Sequence, residues 1–344
     1  MKILLFADLH MCPQASIINK WGTKYPKRLE NCINSVNWVE RKAEELGCDF
    51  IISLGDFFDK PDLTSETITA CNEIQWAEDI MHYHLVGNHD ASNSSLIFNS
   101  VNCLSNDNHR VITEPLMLSA AGCDLCFLPY VTECDRKPLS EYFKRKDLTF
   151  NSKRIIFSHN DISGIQLGPV MTKTGFSIEE IESNCDLFWN GHLHNGQALT
   201  PKVINLGNLT GKDFGEDALR HSHNIAVLDT SKMSIEYIEN PYAYNFYKLQ
   251  IDSENDLTIL DSLKPNAVVS IKCAQCLVEK ARQKIENTAN IIESRVILVK
   301  QYEETTETTE LDLTVDHLTR FIECCKTNIE NSVILEEELS EICK

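Results

Sequence analysis

A chain of 344 residues, 42% hydrophobic and 24% charged, has ordinary globular composition and room for a main domain plus one smaller unit. Its net charge of −19 is the opposite of the basic footprint usual for a free-standing nucleic-acid binder. About half of that excess is local, because residues 301–344 hold 12 acidic against 3 basic residues.

The opening MKILLFADLH sets one Lys before five apolar residues and then turns polar, too short for a signal peptide or a membrane span. The expectation is a soluble, cytoplasmic protein without membrane contact. Fourteen cysteines are scattered through apolar segments with no disulfide-framework spacing, so reduced, buried thiols are expected. Cys123 with Cys126, and Cys273 with Cys276, have C-x-x-C spacing inside strand-like segments. Residues three apart on a strand face opposite sides, so these pairs are read as core thiols rather than structural zinc.

In chain order, ILLFA (Ile3 to Ala7), FIISL (Phe50 to Leu54), HLV (His84 to Val86), RIIF (Arg154 to Phe157) and LFW (Leu187 to Trp189) are short, unalternating apolar runs. They predict strands buried on both faces. Ile33, Val36, Val39, Ala43 and Leu46 form a helical stripe between the first two, closed by Gly47; Ile68, Cys71, Ile74, Ala77 and Met81 predict a second helix before the third. Strand and helix alternate, which implies an α/β layered core. VINLGN, NIAVLDT and SIEYIE predict further strands that continue a second layer. A new unit begins at NPYAYNFYKLQI, with AVVSIKC and SRVILVKQY as strands flanking a helix near Val278 to Thr288. This gives an expected main core at 1–241, a small cap at 242–302, an acidic linker at 303–310 and a helical segment at 311–344, whose Leu318, Phe321, Ile322 and Cys325 share one face.

Five motifs stand directly after the apolar runs: DLH (Asp8 to His10), GDFFD (Gly55 to Asp59), GNHD (Gly87 to Asp90), SHN around His159, and GHLH (Gly191 to His194). Placement after strand ends converges them on the carboxyl edge of a sheet, where α/β proteins build sites. Asp8 and His10 alternate across Leu9, as His192 and His194 do across Leu193, so each pair is expected on one side of an extended segment. Asp56 follows Gly55 where the backbone must approach closely. With the Asn88 amide and His159, this inventory suits a pair of divalent ions about 3.5–4 Å apart that hydrolyses phosphoesters. No Cys takes part, which leaves Mn, Fe or Zn as candidates. His82 and His84, inside the strand before GNHD, are read as structural.

The order DxH, GDxxD, GNHD, H, GHxH resembles the calcineurin-like metallophosphoesterase superfamily. GDFFDK and GNHD differ from the GDxVDRG and GNHE of Ser/Thr protein phosphatases, and Phe57 and Phe58 stand where purple acid phosphatases need a ligand Tyr. FLPYV (Phe127 to Val131), LFWNGHLHN (Leu187 to Asn195) and INLGNLTGKDFGED (Ile204 to Asp217) are most similar to the SbcD-type DNA nuclease subunits, including those of phages. The resemblance covers Met1 to about Pro241. It implies an α/β fold with a two-layered β-sheet core flanked by helices (αββα), followed by a small α+β cap and a terminal helical segment. It also implies one metal at Asp8, His10 and His194, a second at Asn88, His159 and His192, and Asp56 as the bridge. His89 would steer the phosphate and protonate the leaving oxygen. Some members of that branch have His where this chain has Asp59, so Asp59 is expected to orient a ligand instead.

The resemblance further implies DNA as substrate, Mn²⁺ as the preferred ion, and an SbcC-type, SMC-like ATPase as partner in double-strand-break processing or phage recombination, with room for a homodimer. Lys20, Lys24, Lys27 and Arg28, and Arg136, Lys137, Lys144, Arg145 and Lys146, form two basic clusters that suit either a DNA backbone or solvated surface. The C-terminal stripe suits docking on the partner or on its own domain. Two other readings are a small-molecule phosphodiesterase or phosphatase on the same scaffold and a non-catalytic scaffold protein.

Overall fold

The computed structural model describes residues 1–143, 152–167 and 170–299. The expected linker at 303–310, the helical segment at 311–344 with its Leu318 to Cys325 stripe, and Lys144, Arg145 and Lys146 lie outside the described residues. Met1–Val299 forms one compact unit.

Two six-stranded sheets make the core. The first runs Ser234–Glu239, Asn224–Asp229, Lys2–Phe6, Phe50–Ser53, Met81–Leu85, His109–Ile112 from edge to edge. The second runs Gln197–Ala198, Val203–Asn205, Leu187–Asn190, Lys153–Ser158, Cys123–Leu128, Leu116–Ala120. The pleat sends alternate side chains to opposite faces. Ile3 and Leu5 therefore meet Phe127, Phe157 and Trp189 between the sheets. Leu4 and Phe6 face the other way, onto Leu29, Cys32, Val36, Val39 and Ala43 of the helix Lys27–Leu46. On the far side, Ile156 and Phe188 of the second sheet pack with Ile181 of the helix Ile178–Asn184. The result is the αββα arrangement, with strands near-continuously apolar because both faces are covered. Cys123 and Cys126 point into different cores, as the strand period requires.

Cys276, expected as a core thiol on a strand, is instead exposed in the 3₁₀ turn Gln275–Leu277. Two further expectations need correction. Asn224–Asp229 and Ser234–Glu239 do not extend the second layer; they pair antiparallel beside Lys2–Phe6 in the first sheet, with register Ile3↔Leu228. The second helix ends at Cys71, and Ile74 and Ala77 are buried in irregular chain, while Met81 already belongs to a strand. The side chains of the first helix explain this. Asn37 Oδ1 accepts from Gln75 N at 2.8 Å and Glu40 Oε2 from Ala77 N at 3.0 Å, so these backbone donors are satisfied without helical bonds.

The unit after Pro241 is a three-stranded parallel sheet, Asn245–Ile251, Ala267–Cys273, Ile291–Leu298. Parallel pairing needs crossovers, supplied by the 3₁₀ segment Glu254–Ser262 and the helix Val278–Glu286. The expected β-α-β unit thus gains a strand at NFYKLQI. It has its own core of Leu249, Leu260, Val269, Ile271 and Ala281, and meets the rest through Ile18, Phe214 and Phe246.

Candidate metal centre

Every motif lies within two residues of a strand end, and four of its residues are held in backbone geometry that L-residues rarely adopt. Asp8 (φ 49°), His10 (φ 46°), Asp56 (φ 49°) and His192 (φ 75°) are four of the nine non-glycine residues with positive φ among those described. Each such residue costs roughly 1–3 kcal/mol, so their concentration here marks a functional site. The segments are therefore not extended, contrary to the alternation argument. Their convergence comes from loop-to-loop hydrogen bonds instead: Asp8 N to Gly55 O (3.1 Å), His10 N to Asp56 O (3.0 Å), and His192 N to the Asp8 carboxylate (3.0 Å). Gly55 (φ 98°) and Gly87 make this packing feasible, since a Cβ would strike the His159 ring at the first and Asp56 at the second.

Asp8, His10 and His194 come together in one group, and Asp56, His159 and His192 in another. His10 Nε2 is 3.7 Å and His159 Nε2 3.3 Å from Asp56 Oδ2, so Asp56 lies between the groups. Asn88 Oδ1 sits 3.2 Å from His159 Nε2 and 3.0 Å from His192 Nδ1.

The outward-facing nitrogen of each imidazole has an acceptor. His159 Nδ1 donates to Leu54 O (2.7 Å) and His192 Nε2 to Asp161 Oδ1 (3.1 Å). His10 Nδ1 faces Asp59 Oδ1 at 3.4 Å, with Lys212 Nζ beside it at 3.3 Å, and His194 Nδ1 faces Glu216 Oε1 at 3.3 Å. Such partners fix the tautomer and leave the inner nitrogen as a lone-pair donor. The inner nitrogens then face only other acceptors: His10 Nε2 stands 2.9 Å from His194 Nε2, and His159 and His192 crowd Asn88 Oδ1. Acceptors packed this way repel unless a cation lies among them. N/O donor sets without thiolate suit Mn, Fe or Zn, so the residues fit a pair of divalent ions.

Without an ion, the carboxylates and imidazoles instead set one another's charge. Burial alone would raise Asp56, but the charges of His159 and His10 outweigh it and hold the carboxyl well below the usual range. Burial likewise opposes charge on His159, yet Asp56 and Asp8 push it up to about 9. Asp8 is raised by burial, only partly offset by His159, and burial pushes His10 down to about 3.

His89 falls in a third group, with His10 and Asp59, rather than with Asp56. Its N–H donates to Asp56 Oδ1 (2.8 Å), its ring meets that of His10 edge-on at 4.8 Å, and its Nδ1 donates to Asp59 O (3.0 Å), which leaves Nε2 available. Asp59 pairs with Lys212 Nζ at 2.5 Å while facing His10. Asp90 is fully buried and ties two motif loops together by accepting from Phe58 N and Gly87 N (2.8 and 2.9 Å).

Sequence reasoning gave no role to Asp161, Glu216, Lys212 or Asp90. Asp90 closes GNHD, Asp161 directly follows SHN, and Glu216 and Lys212 lie in INLGNLTGKDFGED, so only their position in or beside those strings could have marked them. One basic residue was misread. Arg28 is fully buried, donating to Leu9 O (2.9 Å), Gly211 O (3.0 Å) and Asn31 Oδ1 (3.0 Å), so it is neither a DNA contact nor surface charge. Its neighbours Lys20 and Lys24 pair with Glu293 and Glu73, and Arg136 pairs with Glu133. The described histidine and carboxylate groups that could hold a metal include no cysteine.

The model of the Calcineurin-like phosphoesterase family matches residues 1–240, and the chain belongs to that family. It is accordingly a metal-dependent hydrolase of phosphoesters. Among curated proteins, no sequence matches the chain. A solved structure of a dimetal phosphatase from Danio rerio is similar at 14% identity and a TM-score of 0.38, covering 66% of this chain and 91% of that one. No helix among the described residues is long and apolar enough to cross a membrane.

Proposed function

We propose that the chain is a DNA exo/endonuclease subunit that uses Mn²⁺ and works with an SbcC-type, SMC-like ATPase in double-strand-break processing or phage recombination. The observation that carries the hydrolytic part is the set of four histidines, each turned inward by an outer acceptor, around Asp8 and Asp56. Asp8, His10 and His194 would hold one ion, Asn88, His159 and His192 the other, and Asp56 both. When bound, such a pair supplies a nucleophile at neutral pH and neutralises charge on the phosphoryl oxygens.

The residues around it do the rest. His89 is placed to donate a proton from Nε2 to the departing oxygen, a step worth about 10²- to 10⁴-fold. The backbone carbonyl of Asp59 fixes its ring, and the Asp59 carboxylate orients His10. Lys212 keeps that carboxylate ionised: burial would raise it, but hydrogen bonds from His10 and Lys212 hold it well below the usual range. DNA as substrate is supported by the spelling of FLPYV, LFWNGHLHN and INLGNLTGKDFGED and by the additional sheet beside the core.

The test is degradation of linear duplex DNA by the chelated and Mn²⁺-restored chain, with and without a co-purified ATPase subunit. Cleavage that needs Mn²⁺ and becomes ATP-dependent with the partner supports the reading. Hydrolysis of small esters with duplex DNA left intact would replace it by a small-molecule phosphodiesterase or phosphatase.

A further inference from the structure

A cleft of about 320 Å³ opens beside the metal centre, between the chain that follows DLH and the chain that follows GDFFD. Met11, Pro13 and Leu63 give it apolar walls, Thr64 and Thr67 add hydroxyls, Gln14, Lys60 and Asp62 stand at its rim, and Asp59 is shared with the centre. The volume lies within the roughly 300–1,000 Å³ range of small-molecule sites, and the lining mixes apolar faces with about as much hydrogen-bonding surface. None of the roles assigned above uses it.

Its position is informative. Asp59 faces His10 and Lys212 through its carboxylate and fixes His89 through its carbonyl, so one residue joins the cleft to the proton donor. A departing oxygen that receives its proton from His89 carries the rest of the leaving group with it. A flat base with its sugar matches the cleft: apolar faces on Met11, Pro13 and Leu63, hydrogen-bonding edges on Gln14, and Lys60 near the next phosphate.

We infer that this cleft is a nucleoside subsite that receives the nucleotide on the leaving side of the scissile phosphate. The inference rests on the nuclease reading for its substrate class, and it gives the enzyme a contact that a simple phosphate ester cannot make.

Saturation-transfer NMR of the metal-free full-length chain with thymidine, set beside steady-state kinetics of the Mn²⁺-loaded chain on a thymidine dinucleotide, tests it. Two variants are compared: Leu63→Trp, which fills the cleft, and Gln14→Trp on its exposed rim, which leaves the core untouched. Wild type should transfer saturation to the base and sugar protons, and both variants should lose it. KM for the dinucleotide should rise about tenfold with metal content unchanged and kcat near wild type. Absence of transfer in wild type, or unchanged KM in a folded Gln14→Trp chain, overturns the subsite. A chain that binds thymidine in this variant-sensitive way but cleaves no DNA keeps the subsite and drops the nuclease reading. One that cleaves DNA with wild-type KM in both variants does the reverse.

Discussion

Two groups of histidines lie in this protein, and their surroundings assign them opposite tasks. In the metal centre His10, His159, His192 and His194 each have an acceptor behind one nitrogen and carboxylates or an amide oxygen before the other. On the helix-covered face of the first sheet, His82, His84 and His109 instead lie parallel. The His82 and His109 rings stack at 4.1 Å and 7°, His84 Nε2 and His109 Nδ1 share a hydrogen bond of 3.0 Å, and Trp76 packs edge-on against all three. Glu40 supplies this stack's carboxylate, 2.9 Å from His82 Nε2. Parallel rings spread their lone pairs instead of converging them on one point. Burial, with its neighbours' imidazoles, holds His84 well below its ordinary value and pushes His109 down to about 4. Rings meet in both groups, but only in the metal centre do the inner nitrogens converge with carboxylates on shared points.

The sharpest way to break the contrast is at its bridging carboxylate. Asp56→Ala should abolish turnover and lose metal, because Asp56 lies against both groups of donors; retained occupancy of two ions in that variant would remove Asp56 from the bridge. His89→Asn comes next. It should lower kcat about 10²- to 10⁴-fold while both ions stay, and near-native rates on an ester with a poor leaving group would refute its role.

Smaller effects separate the outer carboxylates from the ligands. Asp59→Asn and Glu216→Gln should weaken metal affinity about 10- to 100-fold without emptying the site at saturating Mn²⁺. Titration of Mn²⁺ against activity measures this, and unchanged half-saturation would mean the two carboxylates do not orient His10 and His194.

The smallest effect belongs to the stack. A histidine depressed on folding takes up a proton more readily when unfolded, so its stabilisation is full above about pH 6.5 and declines as pH falls toward 4. In urea melts of the metal-free chain between those pH values, His109→Leu should flatten the dependence of unfolding free energy on pH by about 1 kcal/mol per unit. Metal content should not change. An unaltered slope would show that the stack does not titrate on unfolding.

How much of this was legible beforehand follows from how local each feature is. Asp8, His10, Asp56, Asn88, His159, His192 and His194 each stand beside a strand end, so short strings were enough to single them out. The strands themselves were readable because burial on both faces leaves unbroken apolar runs. Topology was not: nothing within NIAVLDT states that it pairs with Lys2–Phe6 rather than with the second sheet. The helix that stops at Cys71 was misread because Ile74 and Ala77 keep a helical period while the backbone donors of Gln75 and Ala77 go to Asn37 and Glu40, far back in the chain. Glu216 and Lys212 escaped for the same reason, since their partners His194, His10 and Asp59 are distant in sequence. Arg28 looked like surface charge because its neighbours are basic, and only the fold reveals that it grips the carbonyls of Leu9 and Gly211.

The central claim is that this site works through two ions held by these seven side chains. Elemental analysis of the purified chain after Mn²⁺ loading and dialysis, read beside recovery of phosphodiesterase activity, tests it most directly. The account predicts two ions per chain, with activity restored in step as the second site fills. Saturation at one ion or none, or full activity in the presence of excess chelator, would contradict it.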